Sequence, residues 1–227
     1  MQPAHLFLAL SGGLVPALFW LWFWLREDSA HPEPRALIAR SFIAGMLVVP
    51  LVLPLQQFAL SRFSGAELTL AWVVIEETLK YAAALIVVLW NKAVDEPIDA
   101  VMYMITIALG FSALENALFI LGPLADGAAL ESALTGQFRF LGATLVHVLA
   151  SATVGVAMAL AFYKPRRVRI LYATAGLSLG IALHTLFNFS ILNARAETLL
   201  SVFLFVWLGI IALFLVFEKV KRLSRIA

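Results

Sequence analysis

Two adjacent glutamates, Glu76 and Glu77, lie in the middle of an apolar run, AWVVIEETLKYAAALIVVLW, and Lys80 follows one helical turn later. Carboxylates at that depth in a bilayer are costly, so a chain that keeps two of them there has a use for them. On a helix, Glu76 and Lys80 are i,i+4 neighbours and Glu77 and Lys80 are i,i+3 neighbours. Lys80 can hold one carboxylate ionised while the other exchanges a proton, because two close carboxylates in a low dielectric do not both ionise cheaply. A carboxyl group of that kind suits general base and general acid catalysis. Three further ionisable groups sit in other apolar stretches: Glu115 in GFSALEN, His147 in TLVHVLAS and His184 in HTLFN. Asn188 is i,i+4 to His184, so imidazole and amide share a face.

Each of these side chains also has a structural reading. A transmembrane histidine can simply hydrogen-bond across a helix interface, and Lys80 can simply neutralise a glutamate. Asn116 and Asn188 read as polar links between helices or as orienting groups. Ser11, Ser112, Ser151 and Ser178 lack a catalytic context and read as helix-packing residues. Ala150, Ser151, Ala152 and Gly155 would let a neighbouring helix approach closely.

The elements that must position these groups are membrane spans. The chain has 227 residues, 63% hydrophobic and 13% charged, with a mean hydropathy of +0.96. Long apolar stretches recur from end to end, so the expected class is all-α: a polytopic helical membrane protein forming a single domain over 1–227. The absence of cysteine excludes disulfides, thiolate metal sites and a cysteine nucleophile. A span needs about 20 apolar residues. Seven candidates follow, at roughly 4–25, 36–60, 66–90, 98–121, 140–163, 168–191 and 197–217. The first is expected to be a retained span, not a cleaved signal. Pro50 and Pro54 are expected to kink or break the second. The connection 122–139 has room for an interfacial helix, and the aromatic run FWLWFW at 19–24 reads as an interfacial belt.

Seven spans put the termini on opposite sides. With the N-terminus outside and the C-terminus cytoplasmic, Arg26, Arg35, Arg40, Lys92, Lys164, Arg166, Arg167, Arg169, Lys219, Lys221, Arg222 and Arg225 are cytoplasmic. Only Arg62, Arg139 and Arg195 are outside, which is twelve against three. The basic clusters therefore read as topology determinants that also touch anionic lipid, not as a nucleic-acid surface. With this orientation and a rise of ~1.5 Å per residue, Glu76 and Glu77 lie ~15 Å below the outer face. Glu115, His147 and His184 lie ~9–10 Å below it. Four helices thus bring five ionisable groups into one layer of the outer half.

The full set is Glu76-Glu77-x-x-Lys80, DEPIDAVMY at 95–103, GFSALEN at 110–116, His147 with Gly155, and His184-x-x-x-Asn188. It resembles the PrsW family of bacterial intramembrane proteases, distant relatives of the CAAX prenyl endopeptidases and of bacteriocin-processing membrane proteases. The resemblance covers the motif-bearing core, residues 66–190. It implies an endopeptidase of the bacterial cytoplasmic (inner) membrane in which Glu76, Glu77, Glu115, His147 and His184 are essential; Lys80, Asn116 and Asn188 are expected as supporting residues from their spacing. It also implies a membrane-anchored protein substrate, with an anti-sigma factor cut near its extracytoplasmic side as the example.

Peptide hydrolysis then needs an activated water, an oxyanion stabiliser and an acid for the leaving amine. The favoured expectation is a glutamic-type mechanism. Glu76 or Glu77 activates the water, His147 and His184 with Asn188 or Asn116 stabilise the oxyanion, and Glu115 orients a histidine or the water. No cofactor is firmly implied. A zinc-dependent variant, with two histidines and a glutamate as ligands, stays open, although no HExxH occurs. The competing classes are an ion or proton transporter and a catalytically silent immunity-type protein. The sequence says nothing about oligomeric state.

Overall fold

The computed structural model describes residues 2–28, 32–193 and 196–224. The helices are α1 (Pro3–Glu27), α2 (Arg35–Leu60), α3 (Gly65–Val87), α4 (Pro97–Ala125), α5 (Ala129–Phe138), α6 (Thr144–Leu160), α7 (Arg166–Leu192) and α8 (Ala196–Ser224). Each of the seven expected spans corresponds to one long helix. Among the described residues, six segments are long and apolar enough to cross a membrane, with α5 and α6 forming one of them. The remaining long helix, α3, has 23 residues, or about 35 Å of rise. Its mid-helix charges, not its length, set it apart. Those charges are turned inward: Glu76, Glu77 and Lys80 are all buried. The chain is a multi-pass helical membrane protein.

α4 is the axis of the fold. It is apolar around its whole circumference and nearly every residue from Pro97 to Ala113 is buried, as expected of a helix enclosed by others. It packs against α1, α2 and α6, and α7 closes against α6 and α3. The α2–α4 crossing is a backbone contact: a Cβ on Gly110 would overlap the Phe42 carbonyl, and one on Gly45 the Ile107 carbonyl. Without competition from water, close approach of this kind is what holds membrane helices together. Large apolar side chains such as Phe7, Ile86, Leu171 and Leu200 cover the outside, as lipid requires.

The structure refines three expectations. α2 is not broken: it runs unbroken through Pro50 and Pro54, which both occupy exposed positions. Prolines in membrane helices are tolerated because neighbours and local adjustments satisfy the freed carbonyls. The 122–139 connection does hold a helix, α5. It continues through a π-turn at Arg139–Ala143 into α6, giving one 32-residue segment. The 19–24 aromatic run is only half a belt. Phe19 and Trp22 are exposed, whereas Trp20 and Trp24 are buried in the seam between α1 and α8. There Trp24 stacks on Phe214 at 4.7 Å and meets Phe217 edge-on.

The basic ends gather on one side. Lys221 of α8 lies 3.7 Å from Glu27 of α1, and the start of α4 touches both the α1–α2 loop and a cavity walled by α3, α6 and α7. Arg195 and Arg225, which entered the charge count, lie outside the described residues.

Candidate active site

Consecutive residues on a helix point about 100° apart, so the glutamate pair of α3 faces two environments. Glu77 turns towards α6 and α7. Its Oε1 accepts from Lys80 Nζ at 2.5 Å and from His184 Nδ1 at 2.7 Å, and its Oε2 accepts from Ser151 Oγ at 3.4 Å. Glu76 turns towards α2. Its Oε1 accepts from Gln56 Nε2 at 2.8 Å, and the Gln56 carbonyl accepts in turn from Trp72 Nε1 at 3.1 Å. Glu76 Oε2 is buried and has no hydrogen-bond partner among the described residues. It lies 4.0 Å from His184 Nε2. One glutamate is saturated and the other keeps a free oxygen.

The network assigns the imidazole protons. Lys80 Nζ, an ammonium with donors only, lies 3.1 Å from His147 Nδ1, so that nitrogen accepts. His147 Nε2 therefore carries the proton and donates to Glu115 Oε2 at 3.0 Å. His184 donates from Nδ1 to Glu77, which leaves its Nε2 lone pair facing Glu76 Oε2. The two rings meet edge to face at 4.8 Å. Lys80 is fully enclosed, and its Nζ also sits 4.7 Å from the centre of the Phe111 ring.

Glu115 is shared. Besides His147, its Oε2 accepts from the Arg139 guanidinium, which lies 3.9 Å from the Phe119 ring centre. Arg139 Nε donates to Asn116 Oδ1 at 2.5 Å, and the Asn116 amide donates to Ser112 and Thr144. Arg139 is the first residue of the π-turn. Local i→i+5 turns of this kind recur where a helix must aim a side chain at a functional site.

All five expected site residues therefore meet, with Lys80 at their centre. Asn188 lines the same space. Asn116 does not: it is buried beside the site and anchors Arg139. Gln56 and Arg139 were missed. The only signals for them are a glutamine near the end of an apolar span and an arginine close in sequence to the depth of Glu115. Ser151 and Ser112, read as packing residues, hydrogen-bond Glu77 and Asn116.

A cavity of about 550 Å³ opens above this network. Glu76, Glu115, Arg139, His147, His184 and Asn188 supply its polar floor, and Val52, Leu53, Trp72, Phe119 and Leu192 supply apolar walls. Glu77 and Lys80 are absent from its lining and lie behind it. The donor set also fits a divalent metal. Glu76, Glu77, His147 and His184 each offer a ligand atom, all within 4.8 Å of one another. Two histidines with carboxylates are a recognised zinc set, and the unpartnered Glu76 Oε2 beside a histidine lone pair is the kind of orphan that a cation satisfies.

Comparison with known proteins agrees with this picture. Residues 33–216 match the model of the PrsW family, described as intramembrane metalloproteases. The Bacillus subtilis Protease PrsW is 25% identical over 209 residues, covering 89% of this chain and 92% of that protein. The Geobacillus kaustophilus Protease PrsW is 27% identical over 191 residues, covering 82% and 81%. The Oceanobacillus iheyensis Protease PrsW is 27% identical over 209 residues, covering 90% and 93%. No solved structure matches. The chain belongs to the PrsW family of intramembrane proteases.

Proposed function

We propose that the chain hydrolyses a peptide bond of a membrane-anchored, single-span protein close to the extracytoplasmic surface, with Glu76 as the base. The observation that carries this reading is the buried, unpartnered Oε2 of Glu76, a residue of the cavity lining, 4.0 Å from His184 Nε2. One water can donate a hydrogen to each of these two acceptors, which leaves an oxygen lone pair free for the scissile carbonyl. Glu76 takes a proton as the water oxygen bonds to the carbonyl carbon. The Asn188 amide, which lines the same cavity, is the group we assign to donate to the developing oxyanion. As the C–N bond breaks, Glu76 returns its proton to the leaving amine. Glu77 and Lys80 hold His184 and His147 in the tautomers that this scheme needs, and Glu115 with Arg139 holds the other edge of His147.

The metal-dependent reading rests on the same atoms and is favoured by the four-residue donor set within 4.8 Å. His147, His184 and a glutamate of the pair would hold the ion, and bound there it would acidify a water and polarise the carbonyl. With the N-terminus outside, as the charge bias favours, the cavity lies towards the outer face, which supports a substrate cut near that side. Anti-sigma factors are the substrate class that the resemblance suggests. Ala84, one helical turn beyond Lys80, packs with Met104, Ile107 and Val154 in a buried apolar cluster, which speaks against a continuous polar transport path.

The test is purified protein in detergent with co-purified single-span substrates. Glu76→Gln is expected to abolish cleavage with the fold intact, and wild-type cleavage by that variant would reject the base assignment. Metal content of the purified protein, with chelation and re-addition of zinc, separates the two mechanisms. Cleavage that survives complete metal removal supports the glutamate-only scheme.

A further inference from the structure

A second cavity, about 400 Å³, lies at the other end of the molecule, between the end of α3, the start of α4, the end of α6 and the start of α7. Arg166 and Arg169 line its rim, and Trp90, Leu89, Met158 and Ile170 line its body. The arginines are i,i+3 on the first turn of α7, so they share a side. That turn contains no acidic residue, and neither guanidinium has a carboxylate partner among the described residues. Trp90 is 76% and Ile170 57% exposed, so the mouth opens onto apolar surface that lipid covers.

We infer that this cavity binds an anionic phospholipid, with its phosphate on Arg166 and Arg169 and part of an acyl chain along the Leu89–Met158–Ile170 wall. The charge is complementary: two unpaired guanidinium groups beside an apolar slot match a phosphate joined to a hydrocarbon chain. Guanidinium forks hold phosphate oxygens bidentately, better than a point charge does. Basic pockets between membrane helices on the cytoplasmic side take such headgroups. A zwitterionic lipid carries its own cation next to the phosphate and gains less. The site is separate from the glutamate–histidine network, but α3 and α7 line both. An occupant would therefore bridge the helices that carry Glu76, Glu77 and His184.

The four basic residues of KPRRVR allow a charge-matched test, because Lys164 and Arg167 lie outside the cavity lining. The full-length protein is reconstituted in nanodiscs of mixed phosphatidylglycerol and phosphatidylcholine, and the retained lipids are counted by native mass spectrometry. Wild type is expected to retain phosphatidylglycerol in excess over phosphatidylcholine. Arg166→Gln/Arg169→Gln is expected to lose roughly tenfold in phosphatidylglycerol binding. Lys164→Gln/Arg167→Gln removes the same charge and is expected to keep it. An equal loss in both double variants would mean general surface attraction and would overturn the site. So would no loss in Arg166→Gln/Arg169→Gln, or no preference in wild type.

Discussion

Gln56 and Glu76, on different helices, share one hydrogen bond of 2.8 Å that occupies a single carboxylate oxygen and leaves the other open. The adjacent Glu77 has no open oxygen, since Lys80, His184 and Ser151 all donate to it. This asymmetry between neighbours in the chain yields the first prediction.

Glu76→Gln and Glu77→Gln should both lose cleavage, for different reasons. At Glu76 the change removes a proton acceptor from the cavity floor, and the melting temperature should be unchanged while activity falls by about 10²–10⁴-fold. At Glu77 it leaves the enclosed Lys80 ammonium without its carboxylate. Breaking one side of a buried pair costs about 3–5 kcal/mol, so this variant should also melt well below wild type. Thermal melts in detergent alongside a cleavage assay read both effects. Equal melting temperatures would contradict the division of roles.

Gln56→Leu removes the donor that aims Glu76 and keeps the volume close to constant. The expected result is a fall in kcat of about 10–100-fold with little change in KM, the usual size for a group that orients a reacting side chain. A changed KM with constant kcat would instead make Gln56 a substrate contact.

Arg139 and Glu115 form an ion pair in the cavity lining, each 17% exposed. A double-mutant cycle in kcat/KM with Arg139→Gln and Glu115→Gln should give a coupling of about 1–3 kcal/mol, because each single change strands a partner of His147 or Asn116. Additive effects would show that Arg139 acts through the π-turn backbone alone.

A pH effect is expected from a group far from the site. Glu33, in the loop between α1 and α2, is buried and accepts from the Tyr103 hydroxyl. Burial pushes its carboxyl up to about 8, aided by its hydrogen bond to Asp99 and the nearby charges of Asp99 and Asp28, against the opposing Tyr103 bond. The folded state therefore binds this proton more tightly than the unfolded chain does. The associated stability is complete below the ordinary glutamate range and is lost as pH rises through about 8. Melting temperature should fall as pH rises from about 4.5 to about 8 and level off above that, and Glu33→Gln should flatten the fall. An unchanged slope in Glu33→Gln would assign the effect elsewhere.

Much of this protein was readable one residue at a time. Length and hydropathy located every long helix, because crossing a bilayer demands about 20 apolar residues whatever the neighbours are. Depth along each helix axis follows from counting, and it brought Glu76, Glu77, Glu115, His147 and His184 into one layer. Their meeting in one network agrees with that count.

Rotation about each axis could not be counted. In a membrane helix both the lipid face and the core face are apolar, so periodicity barely distinguishes them, and α4 has no polar stripe at all. For that reason the sequence left the two glutamates equivalent and sent the whole 19–24 aromatic run to the interface. It also gave no role to Gln56 or Arg139. Packing decided each of these. The glycine contacts set how closely α2 and α4 cross, and the π-turn sets the direction of Arg139. Which carboxylate oxygen remains free is a property of three helices in contact, and no single helix carries that information.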